Sequence, residues 1–279
     1  MYRIVEKKIL NPTVVQLQIE APLVANKAKP GQFIILRVDE QGERIPLTVA
    51  GTNKEAGTVK IIFQIVGGTT EKLSHKEEGD YIEDFVGPLG NPTDLSQYKN
   101  ILLVGGGIGS AVIYPQAKQL AKAGKKFEII LGARNKDLFF YLDEFRSLAQ
   151  THIVTDDGSL GDKGFVTDKI AQLFDSGKKF DVIFSVGPLG MMKFVSKMAE
   201  KYQAKSIVSM NSLMVDGTGM CGGCRLTLGG KMKFACVDGP EFDGHEIDFD
   251  EAMSRSRTYA EFEAREREEA CNLFKKEVK

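Results

Sequence analysis

Ile101-Leu-Leu-Val-Gly-Gly-Gly-Ile-Gly-Ser110 joins a short apolar run to a glycine-rich turn, and a helical pattern follows it. A run of this length bounded by glycine predicts a buried strand. Glycines at its end let the backbone approach a pyrophosphate at the positive end of the next helix, making Gly105, Gly107, Ile108 and Gly109 candidate contacts. Ser110 takes the last glycine place of G-x-G-x-x-G, and a tight strand-to-helix turn with no ligand fits the same residues. The pattern then repeats, with strands expected at 127–131, 152–154, 182–184 and 206–208. Helices are expected after the strands at 101–104, 127–131 and 182–184. Such alternation predicts an open parallel sheet wound on both faces.

Ligands of open sheets bind at the carboxyl ends of the strands. Two further loops fall at that edge: Gly132-Ala-Arg-Asn-Lys-Asp137, contributing Ala133 and Arg134, and Gly187-Pro-Leu-Gly-Met-Met192, contributing Gly187 and Pro188. A third, Thr155-Asp-Asp-Gly-Ser159, puts Asp156 and Asp157 where a ribose would sit. A carboxylate there accepts from a 2′-hydroxyl and repels a 2′-phosphate, which favours NADH over NADPH. A plain turn is the alternative reading of both aspartates.

Upstream of residue 98 the pattern differs. Segments rich in Val, Ile and Phe recur at 2–9, 13–20, 32–38, 45–50, 58–66 and 80–86, punctuated by Pro30-Gly31, Gly57 and Gly79-Asp80. With one helix near 70–78, six such strands predict a small antiparallel barrel. Arg44-Ile-Pro-Leu-Thr48 opens one of them, and Val66-Gly-Gly-Thr-Thr-Glu-Lys-Leu73 links a strand to the helix. An arginine and a glycine/threonine-rich helix start can share a diphosphate, one as a bidentate cation and the other through backbone amides. Thr48 can offer a flavin ring its hydroxyl. A solvated Arg44 and a simple turn at Gly67-Gly68 are the competing readings, as an interdomain turn is for Gly87-Pro-Leu-Gly-Asn91.

Val215-Asp-Gly-Thr-Gly-Met-Cys-Gly-Gly-Cys-Arg225 and Cys236 give the spacing D-x4-C-x2-C-x11-C. A plant-type [2Fe-2S] site uses C-x4-C-x2-C and a distant fourth cysteine, so Asp216, Cys221, Cys224 and Cys236 match with one carboxylate in place of a thiolate. Zinc is the competing ligand, with Cys271 or His245 as fourth donor, and a redox disulfide is another alternative. Cys271 lies in a charged helical pattern and reads as a spare thiol.

A net charge of -1 supplies no general attraction to nucleic acid or anionic membrane. No apolar run approaches a membrane span, and few cysteines with no secretory leader predict a soluble protein of a reducing, cytoplasmic compartment. The chain divides into a barrel at 1–97, an α/β domain at 98–210, a cysteine segment at 211–248 and a charged helical tail at 249–279. Tyr259, Phe262 and Leu273 punctuate that tail, an arrangement suited to lying along a partner, although a merely solvated helix fits too.

The order of these motifs resembles the ferredoxin-NADP reductase superfamily over roughly residues 1–248. Within it the chain looks most like the small subunits of electron-bifurcating NADH-dependent reduced ferredoxin:NADP oxidoreductases, also called sulfide dehydrogenases, and the electron-transfer subunits of dihydroorotate dehydrogenase. The resemblance implies FAD near Arg44, Pro46, Leu47, Thr48, Gly67, Thr69 and Thr70, with Thr69 standing where a glycine is usual, and NAD(H) above 105–109. An aspartate at the first ligand place resembles the bifurcating subunits, whereas a cysteine is expected of the dihydroorotate-linked ones. It further implies a heterodimer with a larger, glutamate-synthase-small-subunit-like flavin/iron-sulfur chain and indirect exchange with ferredoxin and NADP(H). A stand-alone NADH:acceptor reductase and a zinc-binding redox sensor are the other readings.

Overall fold

The computed structural model describes residues 1–265 and 268. Its first part contains β1 (Tyr2–Asn11), β2 (Val14–Glu20), α1 (Pro22–Lys27), β3 (Phe33–Arg37), β4 (Arg44–Asn53), β5 (Thr58–Gln64), α2 (Gly68–Ser74), β6 (Tyr81–Ile82) and β7 (Asp84–Leu89). These strands form one antiparallel sheet in the order β6-β1-β2-β5-β4-β3-β7. The segment expected as a single strand at 80–86 bends at Glu83. Its first half pairs with β1 at one edge and its second half with β3 at the other, so the sheet nearly closes on itself. Closure of this kind removes exposed sheet edges. Inward-facing Leu17, Ile61, Phe63 and Phe85 fill the interior. The helix expected near 70–78 is shorter, because the chain turns at 77–80 where the Glu77 amide donates to Asp80 Oδ2 at 2.8 Å.

The second part contains β8 (Asn100–Gly106), α3 (Ser110–Lys122), β9 (Lys126–Ala133), α4 (Leu142–Leu148), β10 (Gln150–Thr155), β11 (Asp162–Lys163), α5 (Val166–Asp175), β12 (Val182–Val186), α6 (Leu189–Lys201) and β13 (Lys205–Ser209). The sheet order is β11-β10-β9-β8-β12-β13, all parallel. Along β8, Ile101 and Leu103 pack with α3 and α4 on one face, while Leu102 and Val104 pack with α5 and α6 on the other. Burial on both faces explains the unbroken apolar run. The winding direction reverses between β8 and β12, which opens a crevice at their carboxyl ends.

The cysteine segment adds β14 (Arg225–Leu228), β15 (Lys231–Phe234), α7 (Ala235–Asp238) and β16 (Glu241–Asp243), followed by α8 (Phe249–Arg255). It has no separate core: Met210, Met214, Leu226, Phe242 and Phe249 pack with Phe33 and Ile35 of the barrel. β16 pairs antiparallel with β13, so the segment is stitched into the parallel sheet. The start of the tail differs from expectation, since Phe249 and Ala252 are buried and build core. Tyr259 and Phe262 are exposed, whereas Leu273 and Cys271 lie outside the described residues. Among the described residues no helix is long and apolar enough to cross a membrane.

Candidate cofactor sites

Strand alternation divides the Arg44–Thr48 motif between two faces. Ile45, Leu47 and Val49 turn toward the barrel core. Arg44, Pro46 and Thr48 therefore share the outer face, and the Leu47 side chain is spent on packing. Arg44 Nε is buried without a hydrogen-bond partner, a cost that an anion would relieve. The start of α2 is fastened by Thr70, whose hydroxyl accepts from the Val66 and Gly67 amides at 2.9 and 3.0 Å and donates to the Gly67 carbonyl at 2.9 Å. Thr70 thus shapes the turn. Thr69 donates to Glu43 Oε2 at 3.0 Å, tying α2 to the residue before Arg44. Gly67 has open space where a side chain would stand. The residues present fit a diphosphate.

At the parallel sheet's carboxyl edge the glycines divide their duties. A Cβ on Gly109 would lie 2.1 Å from the Val186 carbonyl oxygen, and one on Gly105 would lie 2.8 Å from Ile113 Cδ1. Those two allow β8, α3 and β12 to approach. Gly107 has φ +55 with nothing near its absent side chain, and so presents backbone to the crevice. Gly106 and Gly187 meet across Met191, which brings the 105–109 and 187–188 loops together. The amides of Asp156 and Asp157 donate to the carbonyls of Ala133 and Arg134 at 3.1 and 3.3 Å, joining the other two loops.

The two aspartates are not equivalent. Asp157 Oδ1 accepts from the Ser159 hydroxyl at 2.6 Å and its amide at 2.9 Å, bonds that hold the carboxyl below its ordinary range. Ser159 also accepts from the Lys136 amide at 2.9 Å. Asp157 is therefore a turn organiser, and exposed Asp156 is the freer acceptor.

In the cysteine segment, Asp216 Oδ2 accepts from the Thr218 hydroxyl at 2.5 Å and the Met220 amide at 3.0 Å. The Cys221 thiol lies against this carboxylate and, with Thr218, holds its titration far below the usual range. Asp216 Oδ1 is buried with no partner in hydrogen-bonding geometry. Cys224 Sγ and Cys236 Sγ are 3.3 Å apart and buried; burial and the neighbouring thiol push the Cys236 thiol up to about 12. Gly217 lets this loop pack on the barrel, since its Cβ would lie 2.7 Å from Leu89 Cδ1 and 3.0 Å from Ile35 Cγ1. Among the described residues no three His, Cys, Asp or Glu side chains converge on one ion position. Instead Asp216 stands beside Cys221 and Cys224 beside Cys236, a carboxylate–thiol pair and a thiol–thiol pair that could hold a two-iron centre. His245, the alternative donor for zinc, has its Nε2 engaged by the Ala204 carbonyl at 3.1 Å.

Sequence reasoning missed Glu43, the Asp216-capping Thr218 and the half-buried Glu241. No local pattern marks any of them.

Residues 211–248 match the iron-sulfur cluster binding domain of dihydroorotate dehydrogenase B, and residues 103–197 match the oxidoreductase NAD-binding domain. A Thermotoga maritima homologue of the dihydroorotate dehydrogenase B (NAD+) electron transfer subunit is 50% identical over 260 residues, covering 93% of this chain and 92% of the relative. The Fusobacterium nucleatum electron transfer subunit is 35% identical, covering 84% and 93%. A solved NADH-dependent reduced ferredoxin-NADP oxidoreductase chain, studied for flavin-based electron bifurcation, matches at 46% identity and a TM-score of 0.91 over 98% of both chains. Phthalate dioxygenase reductase, 19% identical, shares the fold with a TM-score of 0.59, covering 81% of this chain and 85% of the reductase. With a ferredoxin-reductase-like barrel beside these two domains, the cofactors are FAD, NAD(H) and a [2Fe-2S] cluster. The chain belongs to the family of dihydroorotate dehydrogenase B-type electron-transfer subunits, and is an electron-transfer subunit of a NADH-dependent flavin/iron-sulfur oxidoreductase.

Proposed function

We propose that this chain is the NADH-oxidising small subunit of a cytoplasmic, electron-bifurcating ferredoxin:NADP oxidoreductase, working in a heterodimer with a larger flavin/iron-sulfur subunit. Asp216 carries the reading: a carboxylate stands beside Cys221 at the first ligand place, where the dihydroorotate-linked subunits are expected to have cysteine. The full-length similarity to the bifurcating chain reaches into the extension after residue 248 and supports the same choice. We assign FAD to residues 1–97, NAD(H) to 98–210, the cluster to 211–248 and partner contact to the charged tail where Tyr259 and Phe262 are exposed, beyond the buried Phe249 and Ala252.

When bound, FAD accepts a hydride from NADH at N5 and releases electrons singly, and the cluster carries one electron at a time. Arg44 and the 66–70 turn hold the flavin diphosphate, and Thr48 orients the ring from the same strand face. Backbone at Gly107 receives the nicotinamide nucleotide's pyrophosphate, with Pro188 beside it and Asp156 as the ribose acceptor. Asp216, Cys221, Cys224 and Cys236 hold the irons. Cys221 is the exposed ligand, Leu213, Val215 and Met220 of the same segment are exposed too, and this is the side from which electrons leave.

A dihydroorotate-linked role is the second reading, favoured by the relatives' names and the 211–248 match. Purification of the native complex, with flavin, iron, sulfide and zinc analysis and identification of the copurifying chain, separates the two. A partner rich in [4Fe-4S] cysteines and FAD bleaching by NADH are expected. A dihydroorotate-oxidising partner establishes the second reading, and a flavin-free zinc protein refutes both.

A further inference from the structure

The loop that leaves β9 carries Ala133 and Arg134 at the nucleotide edge and then returns to the barrel within seven residues. Three contacts fasten it there. Asn11 Nδ2 donates to the Leu138 carbonyl at 3.0 Å. Phe140 packs with Val14, Ala50 and Ile62 of the barrel and with Ala111 at the start of α3. The Tyr141 hydroxyl donates to Gln16 Oε1, and Gln16 is only 3% exposed. Burial of the Tyr141 ring pushes its hydroxyl up to about 12, so it remains a donor throughout the working pH range.

Two features make this seam more than general packing. Tyr141 adopts φ 60, a left-handed conformation that a bulky residue keeps only where its surroundings over-determine it. Ala50, against which Phe140 packs, follows Thr48 on β4 and marks where that strand passes from the flavin cleft into the seam. Ile108 of the dinucleotide turn packs on the same cluster. The nucleotide edge and the flavin face are thus joined through one short, polar-pinned contact.

We propose that Tyr141 and Gln16 are positioning residues whose side-chain hydrogen bond sets how closely the nucleotide edge approaches the flavin face of β4. Hydride transfer falls steeply when donor and acceptor are misplaced. Loss of this part-buried bond lets the edge sample more open placements. The inference rests on the reading that NADH reduces FAD in this chain.

Tyr141→Phe removes the hydroxyl and keeps the ring; Gln16→Leu removes the acceptor. In the FAD-loaded full chain, stopped-flow bleaching should show the limiting rate at saturating NADH falling roughly three- to tenfold in each variant, the range expected for one intramolecular hydrogen bond. NADH affinity should change less than about twofold, and the double variant should be no slower than the slower single one. In the absence of NADH, amide exchange should quicken at residues 138–141 in both variants. A limiting rate equal to wild type, an effect confined to NADH affinity, or strictly additive losses would overturn the proposal. Wild-type FAD that NADH cannot reduce would remove the underlying functional reading instead, and the inference with it.

Discussion

Glu241→Gln probes a carboxyl that the cofactor chemistry does not use. Glu241 lies on β16 opposite Ser209, its Oε2 accepts from the Thr93 hydroxyl, and its Oε1 is buried without a partner among the described residues. Burial pushes its titration from the ordinary 4.5 up to about 8, opposed only by the Ser209 hydroxyl. The folded chain therefore holds this proton over a range in which the unfolded chain has lost it. Stability from the neutral carboxyl is fully present below about pH 4.5 and is lost as pH rises through about 8. At about 1.36 kcal/mol per pH unit the displacement sets a ceiling of about 5 kcal/mol. Glutamine has the same shape and no titration. Urea unfolding of both chains at matched pH from 5 to 9.5 should show them nearly equal at the acid end, with the variant's advantage growing by up to about 1.4 kcal/mol per unit and levelling off above pH 9. A difference that stays constant across this range would sink the argument, because it would mean that Glu241 titrates alike in both states.

Gly109→Ala should destabilise the chain by about 3 kcal/mol, because its Cβ meets the Val186 carbonyl, whereas Gly107→Ala should cost about 1 kcal/mol and act mainly on NADH affinity. Thermal midpoints and NADH titrations distinguish them. Arg44→Ala should weaken FAD binding by at least tenfold, roughly the strength of a charge-assisted bond, while leaving iron content unchanged; equal FAD dissociation constants would remove Arg44 from the site. Asp216→Cys should retain the cluster and move its midpoint potential, since a thiolate replaces a harder oxygen donor. Identical redox titrations and spectra would exclude Asp216 as a ligand.

The parts of this molecule legible in its sequence are those whose cause is local. Four apolar residues before a glycine turn can be buried on both faces, and Ile101, Leu103, Leu102 and Val104 do divide between two helix layers. The spacing over Asp216, Cys221 and Cys224 is equally local, whereas Cys236 is returned to them by the β14–β15 hairpin, as the distant fourth donor of a plant-type site is. Thr70 and Leu47 show the limit of that reasoning. Both lie in recognisable motifs, yet one hydroxyl is committed to its own turn and one side chain to the barrel core. Which atom of a motif faces a ligand is settled by the strand's register against its neighbours.

The splitting of 80–86 at Glu83 has a distant cause of the same kind: β1 and β3 offer opposite edges, and only a bend lets one segment satisfy both. β16 likewise belongs to the cysteine segment by sequence and to the parallel sheet by hydrogen bonding. That dual membership has a mechanical consequence. The loop holding Asp216 rests on Ile35 and Leu89 of the barrel, while β16 anchors the same segment to β13 of the nucleotide sheet. A displacement of either body is therefore transmitted to the segment that carries Asp216 and the three cysteines. Glu241 stands at this junction, between the Thr93 linker and the end of β13. Its unpartnered oxygen leaves a buried polar atom at this junction without a contact from any of the three modules, as Arg44 Nε and Asp216 Oδ1 are left at theirs.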